Sequence, residues 1–219
     1  MDNIKVTLDE FTTPRIALKA TGKPYRNKKP TMKLLENIAK SGHTSVLEHI
    51  VFHFNIENVS RLLLQEFSRH RIASETVEST RFVLVKSLKE IDTEDGNSVY
   101  VYFTIPEMFK RHPHVEMFYR KHLGMVIDNI RHMSDMLKEI KENGDDLDGE
   151  RPTDFLKYML VEAFRTNIYW TINMRSLINF IHLRNSKNAH PEIRMLARYI
   201  QDIIRTETPY GNFLDIVYS

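Results

Sequence analysis

The sequence predicts an α+β protein with few strands and much helix. Three observations carry this. Ile50, Phe52, Phe54 and Ile56 alternate with His49, Val51, His53 and Asn55, the period of a strand with one fully apolar face. Over residues 115–140, Phe118, His122, Met125, Val126, Asn129, Ile130, Met133, Leu137 and Ile140 fall on or near one helical stripe. Beyond residue 152, three more stretches read as helix. The 219 residues suit a single domain, 1–219.

Taken in order, residues 22–30 read as an exposed loop. Thr31 then caps a helix running to about Ser41, with Leu34, Leu35, Ile38 and Ala39 at helical spacing and Gly42 as its stop. The strand over 49–56 follows. A second helix over 58–68 turns Val59, Leu62, Leu63 and Phe67 inward. Residues 81–85 (Arg-Phe-Val-Leu-Val) and 99–105 read as further strands, separated by a loop over 92–98. The long helix over 115–140 leads into a loop over 143–152, where Gly144, Asp145, Asp146, Asp148 and Gly149 make an acidic, solvated turn. The remaining helices are expected over 153–166, 170–183 and 191–206, the last with Pro191 at its first position.

Apolar residues make up 42% and charged residues 27%, and no apolar run approaches the ~20 residues of a membrane span. Met1 to Leu8 carries Asp2 and Lys5 without an apolar core, so no secretory signal is expected and the protein reads as cytoplasmic. A net charge of +2 counts against a protein that coats nucleic acid. The absence of cysteine excludes disulfides, thiolate metal sites and cysteine nucleophiles together. Redox or covalent chemistry must then come from a cofactor or from another side chain. His112 and His114 flank Pro113, but nothing supplies further ligands at useful spacing, so no metal site is expected.

The strongest chemical signal is Arg69-His70-Arg71 at the end of an apolar helix. Two guanidinium forks bind phosphate bidentately, and a histidine adds a donor or a ring to stack on. Ser74, Thr76, Ser79, Thr80 and Arg81 follow, so the segment reads as an anion pocket for a phosphate or a dinucleotide. The same cations equally suit a helix C-terminus that complements its dipole. Asn173 and Asn179 interrupt an otherwise apolar stretch, where buried amides need partners; a ligand is one source of them. Trp170 reads as core, and Met125, Met133 and Met136 as core or subunit interface.

Arg69-His70-Arg71, seven residues, then Ser79 resembles the signature of the flavin-dependent thymidylate synthases. Gly42-His43-Thr44-Ser45-Val46-Leu47-Glu48-His49 resembles a family segment that precedes a strand, and Val59-Ser60-Arg61 lies a helix length before the signature, as in many members. The run from Trp170 to Phe180, with Leu183-Arg184, resembles the family's second block. The ordered match spans roughly residues 31–205.

The resemblance implies a small mixed α/β domain with a central antiparallel sheet, long helices and a helical C-terminal part. It implies a homotetramer with active sites between subunits. It also implies FAD as cofactor, NADPH as reductant, methylenetetrahydrofolate as carbon donor, and dUMP as the pyrimidine nucleotide methylated at C5. By position, His43, Ser45, Glu48, Arg69, His70, Arg71, Asn173, Asn179 and Leu183 are expected around FAD, with Asn188 where some members place a histidine. Ser79, Thr80 and Arg81 are expected at the nucleotide phosphate and sugar. Arg184 is expected at the pyrimidine as the catalytic charge stabiliser, with His43 as the second catalytic candidate.

The chain departs from the family pattern on the nucleotide side. Glu66 stands where glutamine is usual, Val77 where glutamate is usual, Thr76 where asparagine is common, and Lys157 where an arginine reaches the nucleotide. Lysine keeps the charge and loses the planar fork. A carboxylate near phosphate is repulsive, so Glu66 is expected to pair with Lys157 or Arg81, or to face a sugar hydroxyl or exocyclic amine. Substrate choice therefore stays open between dUMP and another pyrimidine nucleotide (UMP or dCMP), as does a methyl or hydroxymethyl product. A non-catalytic nucleic-acid-binding protein is the reading of a different class.

Overall fold

The computed structural model describes residues 4–24, 26, 28–93 and 97–216. The elements run β1 (Lys5–Phe11), α1 (Pro14–Gly22), α2 (Met32–Lys40), β2 (Val51–Ser60), α3 (Arg61–Phe67), β3 (Ala73–Val77), α4 (Thr80–Glu90), α5 (Val99–Tyr102), α6 (Glu107–Lys110), α7 (Pro113–Glu142), α8 (Pro152–Leu156), β4 (Arg165–Asn173), α9 (Met174–Arg184) and α10 (Pro191–Glu207). The four strands form one antiparallel sheet in the order β1-β2-β4-β3. β1 pairs with β2 from Lys5↔Glu57 to Phe11↔Phe52, with a bulge between Leu8 and Glu10. The chain divides into two compact units, one of residues 4–57, 63–76 and 167–216, the other of residues 58–62 and 77–166.

In the first unit the alternation of β2 has its expected result. Ile50, Phe52, Phe54 and Ile56 are fully buried, while Val51, His53 and Asn55 lie half-buried on the opposite face. His53 Nδ1 meets Thr171 Oγ1 at 3.1 Å across to β4. Trp170 is 1% exposed and packs against Phe67 (4.6 Å between centroids) and Phe180 (5.0 Å), so it belongs to the core. Thr31 Oγ1 accepts from Leu34 N at 3.2 Å and caps α2 as expected. At the other end Gly42 takes φ 91°, Gly42 N donates to Ala39 O, and His43 N donates to Ile38 O. This left-handed stop satisfies the last carbonyls of the helix and turns the chain into the 3-10 turn Thr44–His49.

The second unit has its own core of Leu84, Ile91, Val99, Tyr102, Phe103, Leu123, Ile127, Ile130, Leu156 and Phe164. On α7 the buried positions are Leu123, Gly124, Ile127 and Ile130. Phe118 (75% exposed), Met125 (50%), Met133, Met136 and Ile140 lie on the outside.

Several expected elements differ. Residues 81–85 are helical, inside α4: Leu84 and Ser87 are buried one turn apart, and the run Arg-Phe-Val-Leu-Val suits either period when read alone. Residues 99–105 hold the short α5 and a single antiparallel bridge, Phe103↔Phe164, in place of a strand. The helix expected over 170–183 is a strand up to Asn173 and helix α9 only from Met174; Ile168, Trp170 and Ile172 are buried at period two. The helix expected over 153–166 stops at Leu156, continues as the 3-10 turn Lys157–Met159, and gives way to β4 at Arg165. β2 runs on to Ser60, so the second helix starts at Arg61 and not near Asn58, which sits at φ 64°. The segment after Arg71, read as loop, forms β3. Of the expected loops, Tyr25, Asn27 and Glu94 to Gly96 lie outside the described residues.

Candidate functional site

A cleft of about 890 Å³ opens in the first unit, within the range of small-molecule and cofactor sites. Its walls come from the end of α2 and its Gly42 turn (Lys40, Ser41, Thr44, Glu48), from the Arg69-His70-Arg71 segment after α3, and from α9 (Arg175, Asn179, Leu183, Arg184). Two contacts hold these walls. Met174 N donates to Ile50 O at 2.7 Å, which joins the start of α9 to the entry of β2. Phe67 and Phe180 meet edge to face at 5.7 Å, which joins α3 to α9.

The lining is strongly cationic. Lys40, Arg69, Arg71, Arg175 and Arg184 line the cleft together with the carboxylate of Glu48. Lys40 pairs with Glu36 at 2.5 Å and Arg175 with Glu48 at 2.5 Å. Among the described residues, no ion pair forms to Arg69 or Arg71. Two exposed guanidiniums close together without a carboxylate favour an anionic ligand. Leu183 and Ile72 add exposed apolar surface to the same walls.

Arg184 sits at the inner wall. Its Nη1 donates to Glu66 Oε2 at 2.6 Å, its Nη2 to the Glu66 carbonyl at 2.8 Å, and its Nε to His70 Nε2 at 2.9 Å. Burial, then the adjacent Arg184 charge, pushes the His70 pKa down to about 4, so the ring is neutral at physiological pH. Glu66 therefore pairs with Arg184, against the expectation of Lys157 or Arg81.

Those two cations are engaged elsewhere, in the second unit. Arg81 Nε and Nη2 donate to Asp154 Oδ1 at 3.1 and 2.7 Å, and Lys157 Nζ reaches the same oxygen at 2.8 Å. Hydrogen bonds from Lys157 and then Arg81 hold the Asp154 pKa below its ordinary value. Thr80 Oγ1 accepts from Arg61 Nη1 at 2.6 Å, and Ser79 occupies the N-cap position of α4 with its side chain exposed and no cap bond. The expected nucleotide-side residues Thr80, Arg81 and Lys157 thus each have a polar partner inside this unit.

Of the residues expected around FAD, Glu48, Arg69, His70, Arg71, Asn179 and Leu183 line the cleft. His43 and Ser45 are exposed on the turn between lining residues Gly42, Thr44 and Glu48. Asn188 is exposed beyond α9, its N–H on Ser186 Oγ at 3.3 Å, and is not part of the lining. The premise that Asn173 and Asn179 are buried amides of one helix does not hold. Asn179 is exposed, and Asn173 caps α9 by accepting from Ser176 N at 2.9 Å. Lys40 and Arg175 in the cleft and Asp154 beside Lys157 are not among the residues expected from the sequence. The i,i+3 spacing of Asp154 and Lys157 was a readable signal, but Lys40 and Arg175 carry none beyond their charge.

The sequence matches the family described as "Thymidylate synthase complementing protein" over residues 5–210. The chain belongs to the flavin-dependent thymidylate synthase family. It is 35% identical over 173 residues to the flavin-dependent thymidylate synthase of Wolinella succinogenes, covering 78% of this chain and 74% of that one. The Helicobacter pylori enzyme of the same name is 34% identical over 170 residues, covering 77% and 74%. A crystal structure of the Helicobacter pylori enzyme complexed with FAD and dUMP superposes with a TM-score of 0.74 at 26% identity, over 96% of this chain and 98% of that one. A second Helicobacter pylori structure with FAD and dUMP gives 0.75 at 23% identity and shows the shared fold. The four-stranded antiparallel sheet with many helices is the architecture of these enzymes. Among the described residues, no group of three or more histidine, aspartate or glutamate side chains is placed to hold a metal ion, and no helix is long and apolar enough to cross a membrane.

Proposed function

We propose that this chain is an FAD-dependent enzyme that methylates dUMP at C5 to give dTMP, with methylenetetrahydrofolate as carbon donor and NADPH as reductant. The observation that carries the reading is the cationic cleft of the first unit, built from the family's own segments, with Arg69 and Arg71 available to an anion. The residues fit a dinucleotide cofactor. The volume suffices for its flavin end, two guanidiniums suit a pyrophosphate, Asn179 offers amide bonds, and Leu183 with Ile72 offers apolar contact to a ring. When bound, FAD supplies the hydride that completes the methyl group.

The chain's own part is binding and electrostatics. Arg69, Arg71 and Asn179 hold the cofactor, with Ser45, Glu48 and Asn173 close to the same walls. Arg184 keeps two N–H donors beyond its three bonds to Glu66 and His70, and these stabilise negative charge on a pyrimidine carbonyl. In an active site shared between subunits, Ser79, Thr80, Arg81 and Lys157 meet the nucleotide phosphate and sugar, and Asp154 keeps both cations ordered. The proposed assembly is a homotetramer, in which the exposed Phe118, Met125, Met133, Met136 and Ile140 of α7 become covered. The protein acts in the cytoplasm on this reading.

FAD titration tests the first step. Binding is expected, with the absorbance of oxidised flavin retained through gel filtration. A chain that does not bind FAD contradicts the proposal. Light scattering tests the assembly, and a monomer that binds FAD fully contradicts the tetramer.

A further inference from the structure

The grip on Arg184 has a consequence for its neighbour. A guanidinium carries five N–H donors and no acceptor. Because Arg184 Nε donates to His70 Nε2 at 2.9 Å, that nitrogen must be bare, and a neutral ring then carries its proton on Nδ1. The His70 ring is also set edge-on to Phe180, 4.9 Å between centroids. The charged groups around this ring are Glu66 on α3, Arg69 and Arg71 on either side, and Arg184 on α9, with Lys40, Glu48 and Arg175 lining the same cleft.

Arg184 is fixed in turn by its bonds to Glu66. Its carboxylate takes Nη1 while its own carbonyl takes Nη2, so a single residue sets both the tilt and the depth of the guanidinium plane. With side chains 17% and 29% exposed, the pair lies in a half-dry site where a charge-assisted bond is roughly twice as strong as a neutral one.

We propose that Glu66 is a positioning residue whose carboxylate holds Arg184 in one orientation and thereby locks His70 as the Nδ1–H tautomer. The cleft wall then presents a fixed set of donors, two from Arg184 and one from His70, to a carbonyl or anionic group of the ligand. Glu66 influences the substrate through Arg184 and not by touching it. A glutamine oxygen could accept the same Nη1 bond without the charge, so Glu66→Gln retains the geometry that Glu66→Ala removes. The functional consequence rests on the reading that Arg184 faces the pyrimidine.

The test is nitrogen-resolved NMR of the full chain carrying ¹⁵N-histidine, with the His70 signals assigned by their loss in His70→Gln. In the wild type His70 is expected as the Nδ1–H tautomer, neutral down to a midpoint near 4. Glu66→Gln is expected to keep that tautomer. Glu66→Ala is expected to release it, so that an Nε2–H form appears in the spectrum, with kcat falling at least about tenfold while FAD stays bound. A wild-type ring with its proton on Nε2 overturns the proposal without any variant, as does Glu66→Ala with an unchanged His70 spectrum. If His70 is released but kcat does not move, the lock stands and the placing of Arg184 at the pyrimidine fails.

Discussion

Arg184 and Glu66, 118 residues apart in the chain, meet at 2.6 Å, and the same guanidinium also binds the Glu66 carbonyl. An arginine held by three hydrogen bonds costs little further ordering when charge develops in front of it, which is the condition for electrostatic stabilisation of a reacting group. Lysine cannot reproduce this, because one ammonium cannot span the carboxylate, the carbonyl and His70 and still face outward. Arg184→Lys should therefore lower kcat by about 10²–10³ and leave FAD bound. Loss of FAD with nucleotide binding intact would put Arg184 on the wrong side of the cleft.

Lys157 and Arg81 share Asp154 Oδ1, an arrangement that keeps both cations ordered at one place. Hydrogen bonds to charged groups contribute about 1.5–3 kcal/mol, so Lys157→Ala should raise the KM for dUMP by roughly tenfold to a hundredfold with kcat nearly unchanged. Steady-state kinetics decides this. An unchanged KM would remove Lys157 from the nucleotide site, and Lys157→Arg should restore or improve on the wild type.

Gly42 sits at φ 91° with nothing near the position of a Cβ, so an added methyl meets backbone strain alone. Gly42→Ala should cost about 1 kcal/mol and lower Tm by about 2–4 °C for a chain of this length. Because Gly42 lines the cleft, weaker FAD binding should accompany the loss of stability. A Gly42→Ala variant with the melting temperature of the wild type would show that the turn relaxes without strain.

His70 links the cleft to pH. Its folded pKa, about 4, lies below the ordinary 6.5, so between these values the unfolded chain binds a proton that the folded chain refuses. The contribution of neutral His70 is fully present above pH 6.5 and is lost as pH falls from there through 4. Thermal melts should show a slope in this window that His70→Gln flattens. An identical slope in the variant would assign it to other groups.

The parts of this fold that were legible in the sequence are those with one unambiguous period. Ile50 to Ile56 alternates between a buried and a half-buried face, and α2 and α10 begin at Thr31 and Pro191 with readable start signals. The misread segments are short apolar runs. Residues 81–85 and 170–173 each fit both periods, and the burial of Leu84 or of Trp170 and Ile172 is decided by partners distant in sequence. The same limit applies to the site. Arg69-His70-Arg71 is legible as a cationic cluster, and six of the residues expected around FAD line one cleft. The Glu66–Arg184 and Asp154–Lys157–Arg81 pairings were not legible as a whole, because ion-pair partners are chosen by tertiary geometry. Asn173 shows the converse error: an amide read as buried in a helix is the cap that starts it.

The product of turnover decides whether this chain methylates dUMP. The purified chain, with FAD, NADPH, methylenetetrahydrofolate and dUMP, is assayed by mass spectrometry of the nucleotide, with UMP and dCMP in parallel. Conversion of dUMP to a nucleotide heavier by one methylene is expected, dependent on FAD and lost in Arg184→Ala. Unchanged dUMP from an FAD-loaded chain, or methylation of UMP or dCMP in its place, would contradict it.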